Sequence, residues 1–144
     1  MNGLSLVGRY EFAIRRRGSL ILTRRGKNLM VTTGKNRAAS VLIGALVPLG
    51  QYLAFGDDST TPVIGQTSLV GTEVTTRSLL SMATAGNLIT QSATIAYGGA
   101  PVVVREMGIF SAAAAGTMIS RWLPNEFTFG TGDSMEFSWT LEVG

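Results

Sequence analysis

The sequence has 144 residues, the usual size of one domain, so we expect residues 1–144 to form a single unit. Apolar residues make up 45% of the chain and charged residues 15%, a balance that excludes an intrinsically disordered protein. The net charge is only +3, but residues 1–37 carry nine Arg or Lys against one acid, and residues 38–144 carry three against eight. The N-terminal quarter is therefore the region where we expect an acidic partner to bind.

The chain contains no Cys and no His. Their absence removes disulfides, the commonest metal ligands, and the commonest general base and nucleophile. We therefore predict a protein that is not an enzyme and has no catalytic residue, no metal site and no cofactor. The longest apolar stretch, residues 38–49, is too short to span a bilayer and contains Pro48, so we expect no membrane partner and no export.

The first 31 residues or so are predicted to form a basic β-hairpin. Apolar residues alternate from Leu4 to Ile14, a turn follows at residues 16–19, and Leu20–Leu22 and Asn28–Val31 are short extended runs. This basic hairpin either contacts an acidic protein surface or nucleic acid, or is simply solvated. It lacks the interleaved aromatics of a single-strand binder, so we expect no specific nucleic acid. Six of its cations are candidates for partner binding: Arg15, Arg16, Arg17, Arg24, Arg25 and Lys27.

One short helix is predicted near residues 34–46, where Ala39, Leu42, Ile43 and Leu46 recur at helical spacing. The remaining chain is rich in Thr, Ser, Val and Gly and is predicted to form strands at 51–55, 74–82, 88–97, 102–110, 117–129 and 134–143. In the last strand, apolar residues from Met135 to Val143 alternate with polar ones, so one face should be buried. Short strands without regular helices between them indicate an all-β, jelly-roll-like β-sandwich.

Charged residues inside apolar, strand-forming sequence are candidates for structural ion pairs. We expect a buried Arg–Glu pair among them, since neighbours in a strand point to opposite faces. The adjacent acids Asp57 and Asp58 lack the spacing of a calcium loop, so we expect them to cap a turn. The four ion-pair candidates are Glu73, Arg77, Arg105 and Glu106.

Trp122 is a candidate for contact with a partner. It lies close to Pro124, which interrupts the predicted strand, and Trp is enriched at binding hot spots.

Three motifs, in the order in which they occur, resemble a family of small bacteriophage structural proteins. The first comprises Gly8-Arg9-Tyr10 and then residues 27–34, Lys-Asn-Leu-Met-Val-Thr-Thr-Gly. The second is Leu53-Ala-Phe-Gly-Asp-Asp-Ser-Thr-Thr-Pro62, followed by Ser68-Leu69 and by Glu73-Val-Thr-Thr-Arg77. The third is Val104-Arg-Glu-Met-Gly-Ile-Phe110 with Gly116-Thr-Met-Ile-Ser-Arg121.

This resemblance implies a phage virion protein with a jelly-roll-like sandwich. The function expected from it is that of a capsid decoration, or cement, protein that binds major capsid protein subunits and stabilises the head. We expect a homo-oligomer, a dimer or trimer, on the capsid surface after assembly in the host cytoplasm. A tail-fibre, baseplate or adaptor protein is the alternative within the same particle. A small carbohydrate-binding module is the alternative outside it.

Overall fold

The computed structural model describes residues 6–42 and 50–144. These ranges contain eleven strands and one helix. The elements are β1 (Leu6–Arg16), β2 (Ser19–Met30), α1 (Thr32–Leu42), β3 (Tyr52–Gly56), β4 (Ser78–Leu79), β5 (Ser81–Ala85), β6 (Leu88–Ala96), β7 (Val102–Val104), β8 (Glu106–Phe110), β9 (Met118–Trp122), β10 (Phe127–Phe129) and β11 (Asp133–Val143).

Nine of the strands form one antiparallel sheet in the order β4-β3-β8-β9-β2-β1-β11-β6-β5, and β10 pairs with β7 in a separate small sheet. The two edge strands, β4 and β5, are separated in the chain by Leu80 alone, and Leu80 is buried. The sheet therefore curls until its two edges nearly meet. The prediction of an all-β, sandwich-like fold with one short helix is confirmed.

Strand β2 joins the two halves of this sheet. It pairs with β1 from Ser19 to Asn28, but with β9 only through Leu29 and Met30. The sheet bends at this point, because a strand that changes neighbour along its length turns a corner between two packed layers. We call the strands β2-β1-β11-β6-β5 the hairpin half and the strands β4-β3-β8-β9 the loop half.

The main core lies on the inward face of both halves. Strand β11 alternates as predicted, with Met135, Phe137, Trp139 and Leu141 buried, while Val143 is half-buried. These side chains form one apolar cluster with residues of the loop half, so burial of apolar surface holds the two layers together. Its members from the loop half are Leu53, Phe55, Met107, Ile109, Ile119 and Trp122.

The predicted turn at residues 16–19 is confirmed. Arg17 and Gly18 have φ values of 51° and 80°, and Arg16 pairs with Ser19, the geometry of a two-residue hairpin turn. The prediction that Leu20–Leu22 and Asn28–Val31 are separate extended runs is wrong, because β2 runs without interruption from Ser19 to Met30. Gly26 makes room for an aromatic ring and does not end the strand: a Cβ at this position would lie 3.1 Å from the Tyr10 ring.

Helix α1 begins at Thr32, two residues before the predicted start, and residues 43–46 of the prediction lie outside the described residues. It packs on β9 through Gly34, where a Cβ would lie 2.1 Å from the Ile119 carbonyl oxygen.

Ala54 faces away from the main core and joins a second apolar cluster with Val31 and Met118. No helix of the described ranges has the length and apolar character to cross a membrane.

Replacing Gly34 with Ala tests whether close packing or helix propensity dominates here. Propensity alone would stabilise the helix by about 1 kcal/mol. The clash with Ile119 should outweigh this gain and lower the free energy of unfolding by about 1–3 kcal/mol. Gly65→Ala is the matched control, because a Cβ there meets nothing within 4 Å. Urea denaturation would measure both variants, and a stabilised Gly34→Ala protein would contradict this packing.

Candidate functional site

Two of the predicted basic residues hold the hairpin against β11. Arg16 donates two hydrogen bonds to the Asp133 carboxylate, at 2.8 and 3.0 Å, and the Asp133 side chain is fully buried. Asp133 also accepts the backbone N–H of Gly130 at 2.8 Å. Arg15 lies 3.3 Å from Glu136 in a more exposed pair. Both cations are therefore already paired with carboxylates of β11 within the fold.

The other four candidate cations, Arg17, Arg24, Arg25 and Lys27, have no carboxylate within ion-pair distance in the described part of the chain. Arg17, Arg25 and Lys27 are exposed, and no hydrogen bond to their side chains is found there. Arg24 is half-buried and donates only to the Thr23 carbonyl oxygen, at 3.0 Å, while its buried Nε atom has no partner. Four cations thus remain for an acidic group from outside the described residues.

Apolar side chains lie beside these cations. Leu20 is 53% exposed and Ile21 is 45% exposed, directly after the turn. We call Arg17, Leu20, Ile21, Arg24, Arg25 and Lys27 the basic edge. Unpaired charge next to exposed apolar surface is a combination typical of a protein-binding site, where charge directs encounter and apolar contact slows release.

Trp122 does not belong to this surface. It is 2% exposed, and its ring stacks on Tyr10 and Phe137 with centroid distances of 5.1 and 6.1 Å. The prediction that Trp122 contacts a partner is wrong. The nearby Pro124 suggested an exposed site, but β9 ends just before Pro124 and is still packed inside the core at Trp122.

A buried ion pair lies in the loop half. Glu106 and Arg121 have fully buried side chains, and Arg121 Nε donates to Glu106 Oε1 at 3.1 Å. Glu106 also accepts three backbone N–H groups, from Asp58, Val70 and Gly71, at 2.8–2.9 Å. The carboxylate therefore receives four hydrogen bonds, which offset much of the cost of burying its charge.

A buried Arg–Glu pair was expected among the four ion-pair candidates, but Arg105, which directly precedes Glu106 in the chain, is not its partner. It is half-buried and approaches Glu126 and the Asp57 carbonyl oxygen, each at 3.4 Å. Arg121 is not among the four ion-pair candidates from the sequence, although it lies in the apolar strand Met118–Trp122 and so carries the same signal as Glu106. The strand pairing of Met107 with Trp122 places the two residues near each other, and that register could not be derived from the sequence.

A second arginine holds the same long loop, residues 57–77. Arg77 forms two hydrogen bonds with Glu73, at 2.8 and 3.0 Å, and donates to the carbonyl oxygens of Ala112 and Ala115. Its guanidinium lies 3.7 Å from the centre of the Phe110 ring. Glu73 and Arg77 thus pair with each other and attach the loop to β8 and to the segment after it.

Asp58 caps a turn as expected, whereas Asp57 does not cap a local turn and connects the two ends of the loop. Asp57 accepts the Thr72 N–H at 2.8 Å, and Asp58 accepts the Thr60 N–H at 2.7 Å, the hydrogen bonding that lowers the pKa of Asp58. Within the described ranges, no three acidic side chains lie close enough together to hold a metal ion. The charged side chains of this loop therefore hold it in position.

No family model matches the chain, and neither the curated proteins nor the solved structures include one that is significantly similar to it.

The role of the buried pair is tested by Glu106→Gln. This change leaves Arg121 unpaired and turns an amide N–H₂ toward backbone donors, so we expect a loss of about 3–5 kcal/mol in the free energy of unfolding. The control, Glu126→Gln, removes an exposed ion pair and should cost less than about 1 kcal/mol. Urea denaturation would measure both. Equal losses of unfolding free energy in the two variants would show that burial does not strengthen the Glu106–Arg121 pair.

The Arg16–Asp133 pair predicts a pH dependence of stability. Hydrogen bonds from Arg16 lower the pKa of Asp133 in the folded state. The ionised carboxylate therefore stabilises the fold above its unfolded-state pKa of about 4, and this contribution is lost as the pH falls through the folded-state pKa. Asp133→Asn should be less stable than the parent at pH 7, with a deficit that shrinks on acidification. A deficit independent of pH would contradict this assignment.

Proposed function

We propose that this protein is a bacteriophage capsid decoration, or cement, protein that binds major capsid protein subunits and stabilises the head. The proposal starts from the resemblance of three ordered motifs to small phage structural proteins. Its location would be the outer surface of the virion, with assembly in the host cytoplasm. A tail-fibre, baseplate or adaptor protein of the same particle remains the alternative.

The observation that carries the proposal is the basic edge. Its four cations lack carboxylate partners among the described residues and flank exposed Leu20 and Ile21. A cation that folding has already paired gains little from a partner, whereas an unpaired one gains attraction at long range and an ion pair on contact. An acidic region of a capsid protein has the chemistry to bind here.

The rigid scaffold supports the same proposal. The hairpin is part of the nine-stranded sheet, so the backbone that carries its cations is held in place by the ladder of β2 with β1 and by that of β1 with β11. A preorganised surface loses little conformational entropy on binding. Attachment by many such copies would add interface between capsid subunits and slow their separation.

The distribution of aromatic residues argues against a carbohydrate-binding module. Every Phe, Tyr and Trp of the chain lies within the described ranges, and none is exposed. Sugar-binding and single-stranded nucleic-acid sites commonly use exposed aromatic rings as stacking platforms. Tyr52 and Tyr97, the least buried of these side chains, are only half-exposed to solvent.

A homo-oligomer, a dimer or trimer, belongs to the proposal. Leu79 is 61% exposed and Met82 is 45% exposed, on the edge strands β4 and β5 and away from the basic edge. Exposed apolar side chains near a free strand favour association between copies. This placement would leave the basic edge of every copy available to the capsid.

Charge reversal tests the attachment surface. The triple variant Arg17→Glu, Arg25→Glu, Lys27→Glu should reduce occupancy on purified capsids about tenfold or more, because attraction becomes repulsion. Sedimentation of capsids with added protein would measure occupancy. None of the three side chains makes an intramolecular ion pair among the described residues, so the fold should be retained.

Two single variants separate location from net charge. Lys27→Glu on the basic edge should weaken particle binding and make the remaining binding less salt-dependent, whereas Lys35→Glu on α1 changes the net charge equally and should leave occupancy unchanged. Unchanged occupancy of the triple variant, or equal effects of the two single variants, would overturn the proposed attachment surface.

A further inference from the structure

The outer edge of β2 is open over most of its length. From Ser19 to Asn28, β2 pairs with β1 on one side, and no other described strand lies on its second side. Strand β9 reaches only Leu29 and Met30. Ten residues of strand correspond to an open edge of about 30 Å.

The register identifies which backbone groups face this open side. Val31 N–H donates to the Ile119 carbonyl oxygen at 3.2 Å, so the backbone of Val31 faces the β9 side. Because backbone N–H and C=O groups alternate between the two sides of a strand, those of Lys27, Arg25 and Thr23 also face it. They have no backbone partner among the described residues, although the Thr23 carbonyl oxygen accepts the Arg24 side chain at 3.0 Å. They form a row of donors and acceptors that a further strand could use.

We propose that this row binds an extended, acidic segment of another polypeptide as an added strand of the sheet. Strand addition of this kind takes its affinity from main-chain hydrogen bonds and its specificity from alternate side chains. Arg25 and Lys27 are exposed on one face of β2, and the half-buried Arg24 lies on the other with its buried Nε unpartnered. Acidic side chains on the added strand would therefore find cations on both faces.

Charge decides between this occupant and a second copy of the same chain. Pairing β2 with β2 of another copy would bring basic side chains close together, and like charges on adjacent strands are destabilising. Basic residues along a free edge are a common device that prevents self-pairing of strands. The same charges that disfavour a second copy favour an acidic strand.

The identity of the protein that carries this segment rests on the proposed function, which makes it a capsid protein. The binding mode, addition of a strand to β2, does not depend on the proposed function. A measurement in solution with a synthetic peptide therefore tests strand addition alone, and particle occupancy tests the attachment to capsids, so that failure of one is distinguishable from failure of the other.

The probe is a blocked peptide of about eight residues, a typical strand length, that alternates Glu with Val. Fluorescence anisotropy should show that it binds the parent protein, and binding should slow hydrogen exchange at the amides of Thr23, Arg25 and Lys27. Thr23→Pro removes one N–H of the open side without removing a bond to β1, so it should weaken binding about tenfold. Thr23→Ala is the matched control and should bind like the parent.

A peptide of the same sequence with every peptide nitrogen methylated keeps its charges but loses its backbone donors, and it should not bind. This comparison uses the parent protein and therefore does not depend on the folding of the proline variant. Equal affinity for the methylated and unmethylated peptides would overturn strand addition, and so would failure of the unmethylated peptide to bind.

Discussion

The buried pair of Glu106 and Arg121 is the interaction on which the loop half depends. Residues 57–77 form a loop without helix or paired strand of its own beyond a single bridge between Gly56 and Glu73, an unusual length for a compact domain. One carboxylate accepts three backbone N–H groups of this loop, and Arg121 reaches the Thr60 carbonyl oxygen at 2.7 Å. Loss of either charge would release several loop contacts together.

Two glycines allow the pair to form. A Cβ at Gly56 would lie 2.5 Å from Cγ of Glu106, and a Cβ at Gly71 would lie 2.2 Å from Oδ1 of Asp57. Gly56 therefore leaves room for the Glu106 side chain, and Gly71 leaves room for Asp57 where the loop closes on itself. This arrangement covers one side of the loop half, while α1 packs against the same half through β9. The basic edge belongs to the other half, and no described strand pairs with its outer side.

The sequence predicted the parts of this fold that depend on local pattern. Alternation in Met135–Val143 identified the buried face of β11, and Arg17-Gly18 identified a turn that needs positive φ. It did not predict that Gly26 lies within a strand, because only the packed structure places the Tyr10 ring against it. The partner of Glu106 and the burial of Trp122 depend on which strands are neighbours, information that residue spacing along one chain does not contain.

The proposed function depends on the cations that folding leaves without an ion-pair partner among the described residues. The uneven charge distribution along the sequence indicated a basic hairpin, and the structure separates Arg15 and Arg16, which serve the fold, from the cations of the basic edge.

The most direct test of the proposed function is the copy number of this protein in purified virions, measured by quantitative mass spectrometry against the major capsid protein. A capsid decoration protein should be present in numbers comparable to the major capsid protein. A copy number typical of tail or portal components would contradict a capsid-wide role, and absence from the virion would contradict the account as a whole.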